Sequence, residues 1–166
     1  MLENQANDPS RTSWIPVPEN SDLPIQNLPF GVFIPEDDII TTGTRIGDTA
    51  IDLSALQQLG YFKGIDLPDD VFLQDTLNDF IALGRPTWRR IRNRLAELFD
   101  ENNTTLKANV AHQNQVLFPV DHVQMLMPVF VQDYTDFYSS IEHATNVGKM
   151  FRDPENALLP NWKHIP

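Results

Sequence analysis

Phe30-Gly31-Val32-Phe33-Ile34-Pro35, followed by Thr44-Arg45-Ile46-Gly47-Asp48-Thr49-Ala50-Ile51-Asp52-Leu53, is the stretch on which the fold turns. The first run predicts a short strand from Phe30 to Ile34, ended by Pro35 and the acidic Glu36-Asp37-Asp38. The second predicts a hairpin, with Gly47-Asp48 at the turn between Arg45-Ile46 and Ala50-Ile51. Asp52 or Ser54 is then placed to cap a short helix through Leu59, which Gly60 stops.

Residues 13–35 are proline-rich and read as extended segments joined by turns, with Gln26-Asn27-Leu28-Pro29-Phe30 as a structural lead-in to the first strand. Residues 1–12 are polar and without periodicity, so a flexible tail is expected. Residues 61–74 are irregular, with a turn at Leu67-Pro68-Asp69-Asp70. A helix from Asp75 or Thr76 to Leu83 should end at Gly84, and a second should begin after Arg85 with Pro86 in its first turn. Along the second, Trp88, Ile91, Leu95, Leu98 and Phe99 recur at helical spacing, so one stripe faces a core. Arg89, Arg90, Arg92 and Arg94 make it the basic spot of the chain, read as a solvated face. Residues 106–118 allow a short helix, and His112 there lacks a metal-spaced partner. Val116 to Val131 suits a strand or two, broken by Pro119 and Pro128.

Composition narrows the function classes. With 166 residues there is room for one core-bearing domain, or a small domain plus a fragment. Net charge is −11, which argues against a phosphate-backbone partner. The absence of cysteine removes disulfides and thiolate metal sites. No run approaches membrane-spanning length, so a cytoplasmic protein without a membrane partner is expected. Short strands, 13 prolines and modest helices together predict a mainly β or α+β small domain.

Chemistry concentrates in Asp133-Tyr134-Thr135-Asp136-Phe137-Tyr138-Ser139-Ser140-Ile141-Glu142-His143-Ala144-Thr145-Asn146-Val147-Gly148, continuing to Arg152. Asp133 to Tyr138 is β-prone, and alternation would set Tyr134, Asp136 and Tyr138 on one face. Ser139 with Glu142 fits a capping box and Gly148 fits a C′ glycine, which predicts a helix over about residues 140–147. His143 then lies in the first helical turn. The positive helix end disfavours an imidazolium there, while Glu142 and Asp136 favour one, and spacing leaves both open. A neutral imidazole in that place would suit a general base. The ordinary alternative is a capped strand–turn–helix whose Tyr and His are simply packed or solvated.

This stretch, with Met150-Phe151-Arg152 and Glu155-Asn156-Ala157-Leu158-Leu159-Pro160-Asn161-Trp162, resembles the fumarylacetoacetase family. So do Ser13-Trp14-Ile15-Pro16-Val17, the run from Ser21 to Phe33, and Leu77-Asn78-Asp79-Phe80-Ile81-Ala82-Leu83-Gly84. The resemblance implies an SH3-like barrel domain over residues 13–125, and the opening of a β-rich catalytic domain over 126–166. It implies a hydrolase that cleaves the carbon–carbon bond of fumarylacetoacetate to fumarate and acetoacetate, in tyrosine and phenylalanine catabolism. Carried over by position, His143 becomes the general base, Asp136 a metal ligand, and Tyr138 and Arg152 substrate contacts. The implied cofactor is Ca²⁺ or Mg²⁺, with the remaining ligands expected beyond Pro166. The implied partner is a small β-diketone acid, and the full-length protein would be a homodimer. Ile141-Glu142 stands where animal members carry Arg-Gln, and Glu142 beside His143 would raise the imidazole's proton affinity. On this reading the 166-residue chain alone is inactive, and strands from about Val129 onward lack sheet partners. The alternatives are an acylpyruvate-type hydrolase of the same superfamily and a non-catalytic binding or assembly domain.

Overall fold

The computed structural model describes residues 5–35 and 39–164, so the Glu36-Asp37-Asp38 strand stop lies outside the described residues. Two compact units divide between Phe130 and Val131.

The first unit is built on five short antiparallel strands: β1 (Gly31–Pro35), β2 (Thr41–Ile46), β3 (Thr49–Asp52), β4 (Leu117–Pro119) and β5 (Val123–Leu126), in the order β4-β3-β2-β1-β5. The hairpin forms as expected, Arg45 opposite Ala50 and Ile46 opposite Thr49, with Gly47 in the left-handed region at φ 51°. Asp52 caps helix α1 (Leu53–Gln58) by accepting from the Ala55 amide at 2.9 Å, and Gly60 at φ 82° lets the chain leave.

The outer strands β4 and β5 are joined only by the 3₁₀ turn of residues 120–122. In a flat sheet four strand spacings would separate them by about 19 Å. Following the registers, Pro119 aligns through Thr49 and Ile46 with position 28 of the β1 line, seven residues before Pro35, the partner of Val123. That adds an offset of about 23 Å along the strands. Four Cα steps reach about 15 Å at most. The sheet must therefore curl and shear, which gives an antiparallel half-barrel within an α+β unit. Gly43, in the middle strand, allows the curl: a Cβ there would press on the Phe33 ring and lie 2.5 Å from the Ile51 carbonyl oxygen.

Helices α2 (Asn78–Ala82), α3 (Gly84–Leu98) and α4 (Val110–Val116) complete the unit. Ile91, Leu95, Leu98 and Phe99 are buried as the stripe predicts, and Trp88 packs against the same core. Helix α2 starts later than the Asp75 or Thr76 expected, and β4 and β5 replace the longer apolar run from Val116.

Two sequence readings need correction here. The four arginines are not a uniformly solvated face. Arg92 donates to the Gln26 and Leu28 carbonyls and Arg94 to the Tyr61 carbonyl, because that irregular chain has no ladder to satisfy its oxygens. The described part of the amino-terminal tail is docked and not free. Ala6 is fully buried, Arg11 donates to the Ala96 carbonyl at 2.8 Å, and the Trp14 indole donates to the Leu98 carbonyl at 3.1 Å. These donors satisfy the orphan carbonyls at the end of α3, and the Arg11 cation suits the negative end of its dipole.

Candidate functional site

The second unit carries the chemistry-bearing stretch. Residues 131–140 belong to no strand and are exposed, so the β reading of Asp133 to Tyr138 is not realised: β-prone residues make a ladder only with a partner, and none pairs among the described residues. Helix α5 follows, Ile141–Phe151, longer than the 140–147 expected. Its cap is Ser140, one residue after the Ser139 expected. The Ser140 hydroxyl accepts from the His143 amide at 3.2 Å and donates to the Glu142 carboxylate at 2.9 Å.

Gly148 is not a C′ glycine. It sits inside α5, where a Cβ would collide with the backbone carbonyl of Ala157. The glycine lets the turn after the helix lie against it, and Ala144, Gly148 and Ala157 are buried together there.

His143 is the third residue of α5, and its ring meets Tyr138 edge to face, centroids 5.0 Å apart at 75°. The Tyr138 backbone is held in turn by the Trp162 indole, which donates to its carbonyl at 3.0 Å. Arg152, at the other end of α5, donates to the Ala157 carbonyl at 3.1 Å. Eight helical residues, Ala144 to Phe151, lie between it and His143, about 13 Å along the axis. Tyr138, Gly148, Arg152 and Trp162 line a cleft of about 320 Å³ that His143 and Asp136 do not line. The structure thus brings Tyr138 to His143 and, separately, Tyr138 to the Arg152 cleft. Asp136 lies in the exposed stretch before the helix.

The exposed Glu142 carboxylate is held below the ordinary glutamate range, by its own backbone N–H first and then by the Ser140 hydroxyl. Glu142 is therefore an anion beside His143 across the neutral range.

A hard cation such as Ca²⁺ takes six to eight oxygen ligands. Among the described residues no three His, Cys, Asp or Glu side chains gather to hold a metal. Asp136 alone does not make such a site, so the residues present do not fit a bound cation by themselves.

One contact was invisible in the sequence. The Tyr61 hydroxyl lies 2.7 Å from His112 Nδ1, and burial raises the phenol's pKa. The pair joins the segment after α1 to α4 across 51 residues, a separation that no local pattern encodes.

A protein-family model described as Fumarylacetoacetase N-terminal matches residues 26–128. The chain is 45% identical over 155 residues to the fumarylacetoacetase of Dictyostelium discoideum, 44% over 156 to that of Arabidopsis thaliana, and 44% over 155 to that of Homo sapiens. Each alignment covers 93% of this chain and 36 or 37% of the relative, so the chain spans little more than a third of their length. With the family model matched over more than half of its residues, the chain belongs to the fumarylacetoacetase family through its amino-terminal domain.

Proposed function

We propose that this chain is the amino-terminal part of a hydrolase that adds water across one carbon–carbon bond of fumarylacetoacetate, giving fumarate and acetoacetate. The observation that carries the reading is its identity to three fumarylacetoacetases over 93% of its length, a span that includes α5. His143 takes a proton from water, and the oxygen attacks the carbonyl on the fumaryl side. The carbon–carbon bond then breaks, its electron pair leaving with the acetoacetate part as an enolate that takes up a proton. Tyr138, edge-on to the imidazole, contacts the substrate, and Arg152 holds a carboxylate through its guanidinium fork. Asp136 would supply one oxygen to a Ca²⁺ or Mg²⁺ that needs further ligands from elsewhere in a protein of the relatives' length.

On the same reading the first unit, which runs past the residue 125 expected from sequence to Phe130, is the amino-terminal domain, an SH3-like barrel, and the second unit opens the catalytic domain. The whole protein works as a cytoplasmic homodimer on a small β-diketone acid. The curled antiparallel half-barrel supports the barrel reading of the first unit. The test follows the ultraviolet absorbance of fumarylacetoacetate with the full-length protein, its His143→Ala variant and the 166-residue chain. Turnover by the first alone is expected; a full-length protein that leaves the absorbance unchanged refutes the proposal.

A further inference from the structure

Helix α3 of the first unit carries a cationic cleft that the hydrolase reading does not use. Arg85, Trp88, Arg89, Arg92 and Phe30 line an open groove of about 350 Å³. The three ion pairs among the described residues employ Arg11, Arg45 and Arg94. Arg85 and Arg89 have no acidic partner among the described residues, although the chain holds 23 acidic residues against 12 basic ones. One helical turn apart, they repel each other unless an anion lies between them. Trp88 between them is fixed, its indole donating to the Phe80 carbonyl at 2.8 Å, and Arg92 is tied to the Gln26 and Leu28 carbonyls.

We propose that this face docks an acidic polypeptide segment in extended conformation. Charge complementarity sets the sign. Composition sets the class, since arginine and tryptophan without lysine is the make-up of protein-interface hot spots. The groove is open, whereas small-ligand sites enclose most of their ligand. Spacing sets the conformation: Arg85 and Arg89 are about 6 Å apart along the helix. Alternate side chains of an extended strand stand about 6.7 Å apart, so two carboxylates of one segment meet both guanidinium groups.

The probe is a short peptide with glutamate at alternate positions, titrated into the 166-residue chain by calorimetry at low and physiological salt. Saturable, salt-sensitive binding is expected, weakened tenfold or more by Arg85→Glu or Arg89→Glu. Arg90→Glu makes the same charge change on the same helix outside the cleft and should weaken binding less than twofold. Equal losses at all three positions would reduce the effect to net charge and overturn the proposal. So would no binding to the parent chain, or inorganic phosphate binding as tightly as the peptide. Self-association of the parent chain in sedimentation, abolished by Arg89→Glu, would reassign the face to a second copy and also overturn it. None of these readouts depends on turnover, so the proposal stands or falls apart from the hydrolase reading.

Discussion

Replacing Gly43 by alanine tests why the sheet curls. The added methyl would sit 2.5 Å from the Ile51 carbonyl oxygen and against the Phe33 ring, 3.1 Å from its nearer ortho-type carbon Cδ1. Phe33 is 2% exposed and edge-packed on Phe118, so the ring has little room to swing. The Ile51 oxygen is main chain in β3, and moving it displaces a strand whose residues pair on both sides. Alanine regains about 0.5–1 kcal/mol over glycine through the unfolded state. Overpacking a closed site costs about 1–3 kcal/mol, and the immobile oxygen puts this case at the upper end. A net loss of about 2 kcal/mol follows. In urea this moves the midpoint by about 1 M with the slope unchanged, and in heat by about 4–8 °C. Adding Phe33→Leu relieves the ring contact but not the oxygen contact, so the double variant should recover only part of the loss. A Gly43→Ala protein as stable as the parent would refute the close-approach account of the curl.

Further substitutions probe other joints. Arg92→Met orphans the Gln26 and Leu28 carbonyls and should cost about 2–4 kcal/mol in urea unfolding, whereas Arg90→Ala on the exposed side should stay within about 0.5 kcal/mol. The Asp52 carboxyl is raised above the ordinary aspartate value because burial outweighs its bonds from Ala55 and Thr41. Its folded form binds protons more readily than its unfolded form, so stability is lost as pH rises from the ordinary aspartate value through the raised one. Asp52→Asn keeps an equally good cap; it should be neutral or stabilising at pH 7 and flatten that acid-range slope, and a large loss at pH 7 would contradict the burial argument. Gly148→Ala adds a better helix former worth about 1 kcal/mol, yet its methyl meets the Ala157 carbonyl that Arg152 holds. Amide exchange over residues 152–162 should accelerate in that variant, and unchanged exchange would sink the packing role of the glycine.

What the sequence disclosed is what local chemistry encodes. Gly47, Asp52 and Gly60 each act on neighbours within a few residues, so the hairpin and the first helix were legible from them. The periodicity of Ile91, Leu95 and Leu98 was legible for the same reason. Curling the sheet is a different kind of fact: it follows from a three-residue link between strands that sit at opposite edges, and no residue in Val120, Asp121 or His122 announces that. Arg92 shows the limit of reading charge as solvation. A guanidinium at a core edge has donors enough to serve carbonyls left by a proline-rich segment, while its neighbour Arg90 stays in water.

The candidate site was legible as a set of residue types and only partly as geometry. Ser140 and Glu142 fix the start of α5, and so place His143 in its first turn whatever lies beyond. Gly148 reads from spacing as a helix stop, and only the position of Ala157 shows it to be a point of close approach. The physical reason is the thinness of this unit's interior, where Ala144, Gly148 and Ala157 are buried while Phe137, Met150 and Phe151 are each more than 60% exposed. Burial of such small side chains yields far less than a packed aromatic does, so local caps and one glycine contact order the helix. The backbones of His143, in the first turn of α5, and Arg152, just past its end, are about 13 Å apart along the axis, so a substrate shared by both would lie between their side chains.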